Sequence, residues 1–518
     1  MNQDRQKVML VILDGWGAAP PSKGNAIYQA KTPAVDSLER DYFATTLQAS
    51  GIAVGLPWGR EGNSEVGHLN LGAGRIIYQY LPRIVAAIRD GSFFKNRAFL
   101  RAIEFTKRNN STLHIMGLFS SGSVHSYADH LYGLLDMMKQ QNMQNVILHI
   151  FTDGKDASPK EAEVFLKDLQ NLLKKEQLGK IGTVAGRSYA MDRNRNWTFT
   201  QKAYEAMVDG KGEAIEDPVK YIKKSYAEGK TDFNIEPAIV FENGNPVGLV
   251  KENDALIFFN FREDSARQLT QAFVSPDEDF SDFPRTKIKG LFFVSMTKYQ
   301  EDLPIEVAFP PPNIKNPLAK VLSDAGIKQL HISEREKYAH VTYFFNGENE
   351  NTYPKEERVL IPSTSGQQYE AVPEMQAYSI TQKVIENIFN FDFILINYAN
   401  ADMLAHTGNM QATIKGVEAI DANLFSLIET AKKFNFSMIV TADHGHAEEM
   451  LELKTGMPKT KHSANPVPLY IMHGNHRSRE YSPLYSRNPE GVLADVAPTI
   501  LKIMGIPIPP EMTGKPIL

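Results

Sequence analysis

Short apolar runs rich in Val, Ile and Phe recur along the chain, and each stops abruptly at Gly, Asp, Asn or Ser before a stretch with helical spacing. This rhythm predicts an α/β protein in which several runs are buried parallel strands. The clearest candidates are 7–13, 112–119, 146–151, 255–261, 291–295, 340–345, 391–397 and 437–441. Ile414, Val417, Ile420, Leu424, Leu427 and Ile428 recur at three- and four-residue spacing, which predicts a helix over 412–434 with one face in the core.

At 518 residues the chain exceeds what one hydrophobic core usually serves, so two domains, or one enlarged by an insertion, are expected. A proline cluster at 309–313 marks a linker, and a second boundary is expected at 77–82. The acidic and histidine motifs fall only before the second and after the first, so the middle segment reads as an inserted domain joined by two crossings, an arrangement that permits hinge motion.

A content of 42% hydrophobic and 23% charged residues excludes a disordered chain. The net charge of -5 arises from 56 basic and 61 acidic residues without long single-sign runs, so neither nucleic acid nor an anionic membrane is indicated as a partner. The apolar stretch 8–13 is too short for a signal sequence and no segment is long enough to span a bilayer, so the expected compartment is the cytoplasm. The absence of cysteine leaves His, Asp, Glu and hydroxyl groups to carry any chemistry.

Three apolar runs lead into aspartate: VILDG at Asp14, LINYANAD at Asp402 and IVTADHGH at Asp443. In an open α/β sheet the crevice at the carboxyl ends of the strands collects ligands. A lone aspartate there is more often a turn former or helix cap. Asp402 with His406, Asp443 beside His444, and His462 nearby instead offer the mixed oxygen and nitrogen ligation that suits Mn²⁺, Zn²⁺ or Mg²⁺-like ions. Ser64 lies in GREGNSEVGHLNLGAG, where flanking glycines allow close approach and a helix start favours an anion. Alone it would be a helix cap with Glu65 in the first turn. Beside bound metal its hydroxyl gains a use as a nucleophile, and two ions could also neutralise a transferring phosphoryl group.

These residues, in this order, resemble the cofactor-independent phosphoglycerate mutases of the alkaline-phosphatase superfamily, over nearly the whole chain. The resemblance rests on VILDGWG, GNSEVGHLNLGAGR, GLFSSGSVHS, TDGKDASP, AGRSYAMDRN, FFNFRED, EKYAHVTYFFNG, NADMLAHTGN, TADHGHAEEM, HSANPVPL and the closing LADVAPTILKIMGIPIPPEMTGKPIL. It implies an α/β fold: an alkaline-phosphatase-like three-layer αβα domain, 1–78 with 312–518, carrying an inserted second α/β domain, 79–311. It implies one metal held by Asp402, His406 and His462 and another by Asp14, Ser64, Asp443 and His444. The ions would be two divalent cations, Mn²⁺ foremost with Mg²⁺ or Co²⁺ as alternatives, and no 2,3-bisphosphoglycerate would be needed. His125, Lys155, Asp156, Arg187, Arg193 and Arg262 would line the glycerate site, with Lys337 reaching in from the other domain. Ser64, Asp156, Arg262 and Lys337 would be catalytic, Asp156 as the base that prepares the receiving hydroxyl. Arginine forks suit a substrate carrying both carboxylate and phosphate. The implied cycle passes the phosphoryl group from phosphoglycerate to Ser64 and back to the other hydroxyl of the reoriented glycerate, with domain closure excluding water. A monomer acting on 2- and 3-phosphoglycerate is expected.

The chain departs from the family pattern at three places. Ser265 stands where a second substrate arginine is expected, with Arg267 two residues on; Lys155 replaces an arginine before Asp156; and His446 stands where asparagine is common. His446 would be a hydrogen bonder behind the metal ligands or an additional nitrogen donor. The rival functions are a phosphatase or phosphomutase of the same superfamily acting on another phosphomonoester, and a catalytically silent binding module.

Overall fold

The computed structural model of the protein describes residues 5–363, 369–452, 454–474, 476–477 and 482–518. The chain forms two compact units, Met1–Gln79 with Pro312–Leu518, and Tyr80–Pro311. Among the described residues, no helix is long and apolar enough to cross a membrane.

The first unit is built on an eight-stranded sheet in the order Glu356–Ile361, Gln329–Glu334, Phe393–Tyr398, Lys7–Leu13, Phe436–Thr441, Val467–Met472, Phe43–Gln48, Gly491–Val492. Only Val467–Met472 runs against its neighbours. The three central strands are buried along almost their whole length, which their near-continuous apolar sequence requires. The helix Met410–Lys433 covers the sheet with Val417, Ile420, Leu424, Leu427 and Ile428 turned inward, and the Asn409 side chain caps its start by accepting from the Ala412 N–H at 3.1 Å. From the same helix the buried Asp421 accepts from the N–H groups of Ala34 (3.0 Å) and Val35 (2.9 Å), fixing the start of the helix Pro33–Asp41.

The second unit has its own sheet, in the order Glu306–Val307, Phe292–Ser295, Ala255–Phe258, Leu113–Leu118, Val146–Thr152, Lys180–Gly186, Ala238–Glu242, Glu213–Ile215. Ala238–Glu242 is antiparallel to Lys180–Gly186, and Asn245–Pro246 closes a short hairpin onto it. Strands thus occur at seven of the eight runs expected from sequence.

The exception is 340–345, which is a π-helical turn, His340–Phe344, and not a strand. Val341 and Phe345 are both fully buried at a spacing of four while Tyr343 and Phe344 are only half-buried, a helical face instead of a pleat. The turn packs against the helix Ser64–Ala73 so closely that a Cβ at Gly72 would stand 1.9 Å from the Phe345 carbonyl oxygen. Tertiary packing here overrides the β-propensity of a Val-Thr-Tyr-Phe segment.

His130, in the helix Ala128–Gln140, is buried between Tyr127 and Phe261 with neither ring nitrogen hydrogen-bonded, and burial pushes its pKa down to about 3. The unfolded chain takes up this proton near 6.5 and the fold refuses it, so stability falls as pH drops from about 6.5 toward 3. His130→Phe should therefore be neutral or stabilising at pH 7. It should also reduce the acid-induced loss of stability by on the order of 3 kcal/mol at pH 4, read as a flatter Tm-versus-pH profile than wild type.

Candidate metal centre and anion-binding residues

Four adjacent strands of the first unit bring their carboxyl ends to one place. Leu13 ends its strand and hands over to Asp14; the strand Phe393–Tyr398 is followed by the helix Asn400–Thr407, which carries Asp402 and His406 one turn apart; and Phe436–Thr441 leads to Asp443, His444 and His446. Gln329–Glu334 leads into the 3₁₀ turn Arg335–Lys337, whose Lys337 is buried. Gly15, at φ +75°, lets the chain after Asp14 pass against Asp402, since a Cβ there would lie 2.7 Å from that of Asp402. Ser64 is the first residue of Ser64–Ala73, and the cap is Asn63, whose side chain accepts from the Val66 N–H at 2.9 Å, so the Ser64 hydroxyl is released for other use.

That hydroxyl stands 3.2 Å from Asp14 Oδ1, 3.0 Å from His444 Nε2 and 2.7 Å from Lys337 Nζ. The Lys337 ammonium also reaches Asp14 Oδ1 and Asp402 Oδ2, each at 2.6 Å. Behind them Asn397 Nδ2 donates to Asp14 Oδ2 at 2.8 Å, and His68 Nδ1 meets the Ser64 carbonyl oxygen at 2.8 Å. Burial opposes the charge on Asp14, but Lys337 and His444 beside it hold its carboxyl well below the usual carboxylate range. Burial likewise opposes the charge on Asp402, where Lys337, His446 and His462 prevail. Burial would discharge Lys337, and Asp14 and Asp402 instead hold it well above the ordinary lysine value. His444 is pushed up to about 9 despite its burial, because Asp443, Asp14 and Asp402 surround it.

The donor atoms form two groups that could each hold a metal ion: Asp402, His406, His446 and His462, and Asp14, Asp443 and His444. In the first, His406 Nδ1 meets the Thr460 carbonyl at 3.1 Å and His462 Nδ1 meets the Gly62 carbonyl at 2.8 Å. The neutral form of each ring gives its proton to that carbonyl, which leaves Nε2 as the lone-pair nitrogen, and the two Nε2 atoms face each other at 3.2 Å. Both lie 3.4 Å from Asp402 Oδ1. These separations match the edge of about 3.3 Å expected when donors surround one ion tetrahedrally at 2.0–2.1 Å. In the second group His444 Nε2 lies 3.5 Å from Asp14 Oδ1 and 3.6 Å from Asp443 Oδ2, an oxygen that is buried without a hydrogen bond. The facing lone pairs of His406 and His462, and three buried carboxylates that outnumber the Lys337 ammonium and the raised His444, fit divalent cations. Asp14, Ser64, Asp402, His406, Asp443, His444 and His462 therefore all meet here. His446 joins them, its Nδ1 2.7 Å from Asp402 Oδ1 and its pKa pushed by burial to about 4, so it acts as a neutral donor onto that carboxylate.

In the second unit, another set gathers at the ends of Val146–Thr152 and Lys180–Gly186. Arg187 Nη1 bridges Asp153 Oδ1 and Asp156 Oδ2, each at 2.6 Å. His125 Nε2 lies 3.6 Å from Asp156 Oδ2, and burial together with Arg187 pushes its pKa to about 4. Arg193 (2.5 Å) and Arg262 (3.0 Å) converge on Asp264 Oδ2. His125, Asp156, Arg187, Arg193 and Arg262 are thus brought together, and arginine forks flanking a histidine and a carboxylate suit a small anion bearing a hydroxyl. Lys155 is exposed and contributes its backbone N–H to Asp153 at 3.1 Å. Ser265 is buried with its hydroxyl 2.7 Å from His125 Nδ1, so it anchors that ring in place of offering a cation. Arg267 Nε donates to the Tyr299 carbonyl at 3.1 Å, and the side chain lines a cavity of about 310 Å³ with Arg193 and Asp264.

Sequence inspection missed Asp153 and Asp264. Asp153 follows its strand directly, the same signal that singled out Asp14, while Asp264 is recognisable only from the arginines that the fold places around it.

Residues 84–301 match the family described as the BPG-independent PGAM N-terminus. The chain is 45% identical over 511 residues to a 2,3-bisphosphoglycerate-independent phosphoglycerate mutase of Moorella thermoacetica, covering 99% of this chain and 98% of that one. It is 45% identical to 2,3-bisphosphoglycerate-independent phosphoglycerate mutase 1 of Methanosarcina acetivorans, over 100% of this chain and 99% of that one. Among solved structures, a phosphoglycerate mutase of Leishmania mexicana at low cobalt concentration aligns with a TM-score of 0.55 and 30% identity, over 99% of this chain and 98% of that one.

His406→Ala separates the metal site from the fold. Removing one of two facing lone pairs should leave the Tm of chelator-treated protein unchanged or higher, while a metal affinity weakened tenfold removes about 1.4 kcal/mol of ligand-derived stability. Scanning fluorimetry with and without Mn²⁺ reads both; an undiminished metal-dependent rise in Tm would count against His406 as a ligand.

Proposed function

The chain belongs to the 2,3-bisphosphoglycerate-independent phosphoglycerate mutases, which interconvert 3-phosphoglycerate and 2-phosphoglycerate, and we propose that it does so with Ser64 as the phosphoryl carrier. The observation that carries this assignment is the Ser64 hydroxyl lying within hydrogen-bond reach of Lys337, His444 and Asp14 at once. Divalent ions held by the two Asp/His groups, Mn²⁺ foremost and one per group, would acidify that hydroxyl and neutralise phosphoryl oxygens.

Ser64 Oγ attacks the phosphorus of the substrate and gives up its proton, the P–O bond to the glycerate breaks, and that proton ends on the leaving glycerate oxygen. The ammonium of Lys337 stabilises charge on Ser64 Oγ and beside it on the phosphoryl group. In the return step the other glycerate hydroxyl gives its proton to Asp156 and attacks the phosphoserine, the Oγ–P bond breaks, and the proton passes on from Asp156 to Ser64 Oγ, which restores both groups. Arg187, Arg193 and Arg262 are assigned to the glycerate carboxylate and phosphate, with neutral His125 as a hydrogen-bonding partner. Water must be kept from the phosphoserine, because its attack would release phosphate and end the cycle as hydrolysis. We assign the work to a monomer in the cytoplasm, where a glycolytic substrate is met.

The test is an enolase-coupled assay on chelator-stripped protein with 3-phosphoglycerate and no 2,3-bisphosphoglycerate. Mn²⁺ should restore turnover, Ser64→Ala should abolish it by at least about three orders of magnitude, and quenched wild-type enzyme should carry phosphoserine at Ser64. Release of phosphate from generic phosphomonoesters without isomer exchange would establish a phosphatase instead. Because Arg262 converges with Arg193 on Asp264 whereas Arg267 is tied to the Tyr299 carbonyl, Arg262→Ala should raise KM more than about tenfold and Arg267→Ala less than about threefold. The reverse order would make Arg267 the replacement for the arginine absent at 265.

A further inference from the structure

Glu448 carries no role in the chemistry described above, yet it is buried at 1% exposure with both carboxylate oxygens engaged. Oε2 accepts from the backbone N–H groups of Gly17 at 2.9 Å and of His446 at 2.7 Å. Oε1 accepts from Ser463 Oγ and from Asn465 Nδ2, the latter at 3.0 Å. These four donors lie on three loops: Gly17 is three residues beyond Asp14, His446 is two beyond His444, and Ser463 follows His462.

We propose that Glu448 is the positioning residue of the metal centre, one carboxylate that fixes the three ligand-bearing loops relative to one another. The proposal rests on the assignment of those loops as metal ligands. The close approach is built into the sequence on two sides. A Cβ at Gly17 would lie 2.2 Å from Glu448 Cδ, and one at Gly445 would lie 2.5 Å from Glu448 Oε1, so both loops need glycine to reach the carboxylate. Backbone bonds from Ser463 N to the Gly445 carbonyl (2.9 Å) and from Ala447 N to the Gly15 carbonyl (3.0 Å) join the same loops pairwise. Glu448 joins all three through one carboxylate.

The two backbone N–H groups and the Asn465 amide can only donate, so Glu448 serves them as an acceptor on both oxygens. An amide would set an NH₂ group against at least one donor, and alanine would leave buried N–H groups unpaired. The consequence falls on geometry at Asp14 and His444 of one donor group and at His462 of the other, so loss of Glu448 should weaken metal binding without touching a ligand. Changes behind metal ligands typically cost about 10–100-fold in affinity.

The experiment measures Mn²⁺ affinity of the full-length protein by the free-ion EPR signal, alongside the Tm of the metal-free form, for wild type, Glu448→Gln, Glu448→Ala, Ser463→Ala and Asn465→Ala. Glu448→Gln and Glu448→Ala are expected to lose about 10–100-fold in affinity, and the two single-donor deletions to lose less, in the folded state. Turnover should recover at saturating Mn²⁺, as a rise in the metal requirement and not a fall in limiting kcat. If Glu448→Gln and Glu448→Ala lower only the metal-free Tm while affinity stays at the wild-type value, Glu448 is a structural residue and the proposal is overturned. Should those two fail to fold, unchanged affinity in Ser463→Ala and Asn465→Ala would overturn it equally. Absence of Mn²⁺ binding by the wild-type protein would instead remove the metal assignment on which the proposal stands.

Discussion

Three carboxylates, Asp14, Asp402 and Asp443, are buried around one ammonium, that of Lys337, and the excess of negative charge this creates is the constraint on which the rest of the first unit depends. Buried charges of one sign cannot be left uncompensated. The site answers by raising the His444 pKa to about 9, by holding Lys337 charged, and by turning the lone pairs of His406 and His462 inward, an arrangement that only cations complete. Parallel strands make it possible, because they deliver several chain ends to one edge while every backbone group along the strands stays paired.

The same constraint gives Ser64 its chemistry. A helix-initiating serine is ordinarily consumed as a cap, but here Asn63 takes that duty and the hydroxyl is left against Lys337, Asp14 and His444. The Ser64 hydroxyl, the Lys337 ammonium and the candidate metal donors form one cluster.

In the second unit the balance runs the other way. Arg187, Arg193 and Arg262 are paired with Asp153, Asp156 and Asp264, so each guanidinium is held in place before an anion arrives. Ser265, at a position where relatives are expected to offer a further cation, orients His125 instead. A hydroxyl at this position holds the His125 ring and adds no positive charge to the cluster.

The sequence by itself determined the α/β class, most of the strands, the long helix of the first unit and the aspartates and histidines that gather at the strand ends, because burial writes continuous apolar runs and polar residues that end them stand out. It could not determine the state of 340–345, where β-branched and aromatic residues favour a strand and contact with the Ser64–Ala73 helix imposes a helical turn. Nor could it find Asp264 or Glu448, whose acidic side chains are unremarkable in the sequence and acquire meaning only from donors far away along the chain. Local patterning carries periodicity and residue chemistry; which carboxylate meets which donor is settled by long-range closure, and only the tertiary structure decides it.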